Sequence, residues 1–259
     1  SIYGGDYSCY DDMWHAQLTT YAMDVFLGIG RALGMPDDIY QMLRVASTDI
    51  ITPLIAWNGD LIMLHSSWVS GFLLTCDVGG IANSLLNRCA AFSHNGGPFR
   101  FRDHVRLLTT GDDHIGGVSA GSTHLMNHNI MLEFLTQHGI KYTMPDKRSA
   151  HKAFVDLSET DFLKRGFVFN QDTQSWFGPL DLQSIVKSLT WCVKSSKITQ
   201  RERDAAAMDA ALRELFFHGR SIHDDWQARI ELIARKHGLL HLIPSAGVSY
   251  DCKMEEYIK

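Results

Sequence analysis

The stretch Leu108-Thr109-Thr110-Gly111-Asp112-Asp113-His114-Ile115 puts two adjacent acids directly after a turn glycine, between apolar flanks rich in β-formers. Residues 105–110 and 115–118 read as two short strands, and a Gly-Asp-Asp tip between them pushes carboxylates out of the end of a sheet together. Acids packed that closely repel one another unless a cation sits on them. By itself the tripeptide also suits an ordinary Asp-rich surface turn, so the assignment rests on what accompanies it.

About a hundred residues upstream, Asp6 and Asp11 lie in GGDYSCYDD (residues 4–12), ahead of a long helical pattern. A strand ending at Asp6 supplies a third carboxylate, and three acids from two neighbouring strand ends can hold two Mg²⁺ ions, or Mn²⁺, for phosphoryl or nucleotidyl transfer. Between these acids runs WVSGFLLTC (residues 68–76), followed by IANSLLNRCAAF (residues 81–92). Ser70-Gly71 reads as a Gly-hinged loop, Gly79-Gly80 as a bulge, and a helix is expected to begin near Ile81, presenting hydroxyls and an amide to a sugar or phosphate.

In this order, Asp-x4-Asp, Ser-Gly-x3-Thr with a following Asn-Ser, Gly-Asp-Asp, the lysine of YTMPDK (residues 142–147) and FLKRGF (residues 162–167) resemble the RNA-dependent RNA polymerases of positive-strand RNA viruses. The likeness is to the picorna-like group, including dicistrovirus-like and marnavirus-like lineages, and it runs over nearly the whole chain. It implies an α+β fold: a right-hand polymerase palm, an antiparallel sheet with helices on one face, then a mostly helical thumb. Residues 1–160 would be palm, with part of the fingers at about 12–57; residues 161–178 a primer-grip strand region; residues 179–259 the thumb.

The resemblance also implies roles. Asp6, Asp112 and Asp113 would be catalytic Mg²⁺ ligands, and Lys147 would give a proton to the departing pyrophosphate. Asp11, Ser70, Gly71, Thr75 and Asn83 would bind the incoming nucleotide and its ribose, and Lys164 and Arg165 would contact primer RNA. Implied partners are RNA template and primer, ribonucleoside triphosphates and a genome-linked protein primer, in host cytoplasm at membrane-associated replication complexes. The basic fingers segment that precedes the first motif in these enzymes is missing from the sequence, so residues 1–259 alone are expected to be inactive, and poorly soluble or marginally stable.

Two departures bear on these roles. Thr110 stands where the family carries a tyrosine, a position that packs rather than binds metal. Thr75 and Asn83 are separated by seven residues where three are usual. Treating residues 76–79 as an insertion puts Asn83 in the ribose-reading place, whereas an ungapped match puts Gly79 there; the insertion is favoured because NSLLN then aligns as a unit.

Composition is compatible with this reading. At 259 residues and 45% hydrophobic content, the chain can bury a core as one large domain or two smaller ones. No apolar run is long enough to span a bilayer, and no signal peptide is visible. The net charge of −5 argues against a protein that coats nucleic acid, yet residues 141–203 hold seven Lys and four Arg against five Asp and two Glu, a basic band. Five cysteines without CxxC spacing read as reduced, buried or incidental thiols.

Helices are expected over about 12–33, 36–51, 81–92 and 123–138, and from 179 to about 238; a hairpin over 57–68 around Asn58-Gly59; strands at 140–143 and 162–169, with Trp176-Phe177 pairing back. His124 and His128 share helical spacing but lack an HExxH glutamate, so a structural role is favoured. His114 is read as a spacer. Trp176, Trp191 and Trp226 are read as packing anchors. A reverse transcriptase or nucleotide cyclase would share the palm and its acids, but neither calls for Ser70-Gly71, Lys147 and FLKRGF together. An RNA-binding palm remnant would have no need of three intact acids.

Overall fold

Gly111 closes the central hairpin in a left-handed conformation, φ +56°, that an L side chain adopts only with strain. The turn takes two residues, so strands β5 (Val105–Thr110) and β6 (Asp113–Val118) pair from Thr110 opposite Asp113 down to Val105 opposite Val118. The second strand therefore starts two residues earlier than its expected beginning at Ile115. On the far edge of β6 lies β1 (Ile2–Gly4), giving an antiparallel sheet of order β1-β6-β5.

The structure, a computed structural model, describes residues 1–65, 67–69, 71–193 and 195–259. The chain divides into two units, Ser1–Thr160 and Asp161–Lys259. Among the described residues, no helix is long and apolar enough to cross a membrane. The architecture is α+β, with the acid-bearing hairpin in the first unit.

Asp6 does not end a strand beside the hairpin, as the sequence suggested. The backbone breaks at Gly5, where an added Cβ would meet the Tyr142 ring at 2.2 Å. Asp6 then opens a separate strand, β2 (Asp6–Tyr7), which pairs with β7 (Tyr142–Thr143). Before the hairpin come α1 (Ala16–Ala32) and α2 (Asp37–Ile51), the latter following Pro36, which suits a helix start. The next hairpin, β3 (Leu54–Trp57) and β4 (Asp60–Met63), turns on Asn58-Gly59, both at positive φ.

Helix α3 (Thr75–His94) is the spine of the first unit. The expected bulge at Gly79-Gly80 and helix start near Ile81 are corrected: the helix runs unbroken through both glycines. Each costs about 1 kcal/mol relative to alanine in a helix interior. What offsets that cost is tertiary. A Cβ at Gly79 would stand 3.1 Å from Gly111 Cα, and one at Gly80 would stand 3.2 Å from the Thr109 carbonyl oxygen. Residues 79, 82, 83, 86, 87, 90 and 91 form the buried stripe, at the spacing of a helix packed along one face. α4 (Phe101–His104) leads into β5, and α5 (His128–Gln137), capped by the Asn127 side chain, packs against α3.

In the second unit, residues 162–165 form a tight turn rather than the expected strand. Leu163 and Lys164 have φ of 55° and 60°, with Phe162 bridging to Arg165. A short hairpin, β8 (Val168–Asn170) with β9 (Ser175–Phe177), follows. Then come α6 (Leu182–Thr190), α7 (Gln200–Leu215), α8 (Arg220–Lys236) and α9 (Tyr250–Ile258). α7 opens with a capping box in which Thr199 and Glu202 satisfy each other's backbone N–H groups. Leu212, Leu215, Ile230 and Ala234 form its core. Trp176 and Trp191 are 56% and 77% exposed, so they do not anchor packing; Trp14 and Trp68 do, in the first unit. All five cysteines are exposed free thiols, so none is a buried one.

Candidate active site

The site begins with the two-residue turn. Gly111 donates its N–H to the Cys76 carbonyl at 3.1 Å, which fastens the tip of the hairpin to the first turn of α3. Asp112 is exposed at the tip, and Asp113 is partly covered at the start of β6. Asp6 comes from the neighbouring strand β2, and its carboxylate meets the Lys147 ammonium at 3.0 Å. Lys147 lies just beyond β7, with its N–H on the Met144 carbonyl. The pairing of β2 with β7 is therefore what brings an acid and a base from opposite ends of the unit together.

The hydrogen bond to Asp6, and then the Asp6 charge, hold the Lys147 ammonium above the ordinary lysine value; Asp112 and Asp113 push the same way. One ammonium thus senses all three acids. Carboxylate oxygens are hard donors, the chemistry that suits a divalent ion of the Mg²⁺ type. The set is not drawn tight: among the described residues, no group of three or more His, Cys, Asp or Glu side chains is close enough to hold a metal. The chemistry fits a divalent cation, with Asp6, Asp112 and Asp113 as the residues that would hold it.

Beside the acids opens a cleft of about 460 Å³ lined by Asp11, Asp12, Thr75, Gly79, Gly111 and Asp112, among others. Asp11 and Thr75 lie where a ligand bound against Asp112 would meet them. The Thr75 hydroxyl donates to the Phe72 carbonyl at 2.6 Å, in the turn that begins α3. Gly71 is exposed, with φ +90°. Ser70 lies outside the described residues.

Asn83 is elsewhere than the sequence reading put it. It is fully buried, and its amide is used at both ends. Nδ2 donates to the carbonyls of Gly111 at 3.1 Å and Asp112 at 2.8 Å, with the Asp113 carbonyl at 3.4 Å. Oδ1 accepts from the Tyr7 hydroxyl at 2.9 Å and from Asn87 Nδ2 at 3.0 Å. A ribose hydroxyl has no free group on it to meet. Of the two positions weighed for ribose reading, Gly79 is the one that lines the cleft, the residue the ungapped match puts there.

Three tyrosines climb α3 turn by turn. The hydroxyl of Tyr10 donates to the Gly79 carbonyl at 2.8 Å, Tyr7 to Asn83, and Tyr3 to Asn87 Oδ1 at 2.9 Å. Burial is the first cause holding all three hydroxyls protonated well past the ordinary tyrosine range. For Tyr10 the charges of Asp112 and Asp11 add to it. This ladder was missed from sequence. Its signal was there: asparagines four apart on the buried stripe of a helix need polar partners.

His114 lies beneath the hairpin, hydrogen-bonded through Nε2 to the Tyr142 hydroxyl at 2.8 Å, and burial lowers its pKa to about 4. His128 is buried on the Gly4 carbonyl and His151, whereas His124 is exposed, so the two do not form a metal pair. In the second unit Lys164 is exposed at its turn. Arg165, expected to contact RNA, is instead committed to a bidentate pair with Glu214 at 2.7 and 2.8 Å and to the Gly178 carbonyl.

A hairpin presenting adjacent acids, a third acid and a lysine from paired neighbouring strands, and a cleft along a helix make an arrangement whose chemistry could serve phosphoryl transfer. The model of the viral RNA-dependent RNA polymerase family matches residues 1–233, and the chain belongs to that family. It is 27% identical over 205 residues to the genome polyprotein of Rice tungro spherical virus (strain Vt6), covering 74% of this chain and 6% of that one. Against the replicase polyprotein of Cricket paralysis virus it is 29% identical over 137 residues, 53% of this chain and 8% of the relative. Against the RNA1 polyprotein of Broad bean wilt virus 2 it is 32% identical over 166 residues, 62% and 9%. The chain spans less than a tenth of the length of these relatives. Members of the family generally use divalent metals.

Proposed function

We propose that this chain carries the palm and thumb of a template-directed RNA polymerase that joins ribonucleoside triphosphates to an RNA 3′ end and releases pyrophosphate in viral genome replication. The observation that carries the reading is the tight hairpin that presents Asp112 and Asp113 at the edge of an acid-lined cleft, together with the Asp6–Lys147 ion pair at 3.0 Å. Residues 1–160 would serve as palm, with 12–57 reaching into the fingers, 161–178 as the primer-grip region and 179–259 as thumb.

Asp6 and Asp112 would hold Mg²⁺, two ions in the working enzyme, with Asp113 more loosely engaged. When bound, the ions supply charge neutralisation at the attacking and leaving oxygens. The protein's share is then mainly placement. Asp11, at the cleft wall with Thr75, would accept a hydrogen bond from the ribose 2′-hydroxyl, and Ser70 and Gly71 would take part in binding the same nucleotide. Gly79 leaves room at the position that faces the cleft. Lys147, kept protonated by Asp6, would give its proton to the departing pyrophosphate. Lys164 would reach the primer strand, and Arg165 would brace its turn. A genome-linked protein as primer and membrane-associated complexes in the host cytoplasm follow from the same reading.

The test is primer extension by the polymerase that contains this chain. Asp112→Asn, which removes a charge without changing shape, should nearly abolish incorporation at an unchanged melting temperature. Retention of full activity would overturn the reading. Asp11→Ala should lower the preference for ribonucleotides over deoxyribonucleotides.

A further inference from the structure

We infer that Asn83 is a positioning residue: a single buried amide that ties the strand bearing Asp6 to the turn bearing Asp112, and so sets the separation of the two carboxylates. The inference rests on the reading that these carboxylates hold a divalent cation.

The two acids belong to different sheets, β2 with β7 and β5 with β6, and the β1–β6 ladder stops at Gly4 opposite Ile115, two residues short of Asp6. A side chain carries the tie beyond it. Tyr7 is the residue next to Asp6, and its hydroxyl ends on Asn83 Oδ1; the other end of the same amide ends on the carbonyls of Gly111 and Asp112. A path from one carboxylate-bearing backbone to the other therefore runs directly through this side chain, beside the Tyr142–His114 bond that joins β7 to β6. The orientation of that side chain is determined. Oδ1 receives a second donor, Asn87 Nδ2, and a flipped amide would set its oxygen against the turn carbonyls and its NH₂ against another NH₂. With the residue fully buried, water cannot replace any of these bonds, and each group left unpaired keeps its full desolvation cost.

α3 also holds the turn from the other side. The Gly111 N–H goes to the Cys76 carbonyl while the Gly111 and Asp112 carbonyls go to Asn83, two turns of helix further on. The tip is gripped by its donor and by its acceptors, both from one rigid element. Outer groups that orient carboxylate ligands in this way commonly change metal affinity about 10–100-fold when removed.

The experiment uses the polymerase containing this chain, with Asn83→Asp and Tyr7→Phe as variants. Asn83→Asp loses both donors, and Tyr7→Phe removes one hydroxyl and keeps the ring. The quantities read are Mn²⁺ affinity without nucleotide by electron paramagnetic resonance, the Mg²⁺ concentration for half-maximal incorporation, kcat and nucleotide KM, and the melting temperature. Asn83→Asp should weaken Mn²⁺ binding about tenfold or more, raise the Mg²⁺ midpoint in parallel, and lower kcat with little change in nucleotide KM. Tyr7→Phe should weaken Mn²⁺ binding about threefold, the size of one lost hydrogen bond. Tyr3→Phe breaks the neighbouring rung of the ladder without touching the turn, and should leave Mn²⁺ affinity at the wild-type value.

Equal weakening by Tyr3→Phe and Tyr7→Phe would overturn the inference, because the effect would then be loss of stability alone. Wild-type Mn²⁺ binding in Tyr7→Phe would overturn it too, and decides the matter if Asn83→Asp does not fold. Asp6→Asn and Asp112→Asn separate the two levels. If neither changes Mn²⁺ binding, the carboxylate reading itself fails; if both abolish it while Asn83→Asp and Tyr7→Phe bind normally, only the positioning role fails.

Discussion

The Tyr3–Asn87 rung lends itself to a double-mutant cycle, because both residues are completely buried and each reaches the other through one bond of 2.9 Å. Tyr3→Phe removes only the donor and leaves Asn87 Oδ1 facing an aromatic edge with no proton, which costs about 2 kcal/mol for an unsatisfied buried acceptor. Asn87→Leu is similar in volume. It strands the Tyr3 hydroxyl and takes a donor from Asn83, a loss of about 3 kcal/mol on the same grounds. In the double variant two apolar groups face each other. The second change then costs less than it does alone, and the coupling should be about 1–2 kcal/mol. Hydrogen exchange across α3 and β6, read by mass spectrometry, reports the opening free energy of this unit without assuming that both units unfold together. Losses that add to within about 0.5 kcal/mol would refute the claim that the rung is a closed polar pair.

Two further outcomes follow from the same packing. Gly79→Ala should destabilise the first unit by about 1–2 kcal/mol, because overpacking against Gly111 outweighs the gain of about 1 kcal/mol expected from alanine in a helix; a raised melting temperature would show that the close approach is not real. For pH, burial lowers the His114 pKa from 6.5 to about 4, so the fold favours the neutral ring. Its contribution is complete above pH 6.5 and is lost as pH falls through about 4; the drop should be on the order of 3 kcal/mol. Urea midpoints between pH 7 and pH 4 should be flatter in His114→Phe than in the wild type, and identical slopes would count against the assignment.

The hairpin was legible because its causes are local: a glycine able to take positive φ, β-forming flanks and a two-residue turn. Asn58-Gly59 was legible for the same reason. The start of α3 was not, because two consecutive glycines read locally as a break, whereas their cause is a backbone packed some thirty residues away in sequence. Asn83 shows the limit of motif spacing. Its residue type suggested sugar recognition, but its place on the buried stripe turned the amide inward to the turn carbonyls. The ion pair of Arg165 was not legible either, since its partner Glu214 lies far along the chain and nothing near FLKRGF announces it. The pairing of Asp6 with Lys147 also depends on β2 meeting β7, a contact that neither strand of two residues signals alone.

The tyrosine ladder has a near-repeat, since Asn83 and Asn87 are one helical turn apart and their partners are both tyrosines. A slip of α3 by one turn, about 5.4 Å, would carry Asn87 into the place of Asn83 and offer Tyr7 a ready partner. The same slip would carry Asn83 and Ser84 into the places of Gly79 and Gly80, where a Cβ would stand only 3.1 and 3.2 Å from the backbone of Gly111 and Thr109 and crowd it. The glycines thus act as a key that fits in one register only. A polar seam that could pair in two ways is held to one by the absence of two side chains, which joins helix and hairpin in a single register.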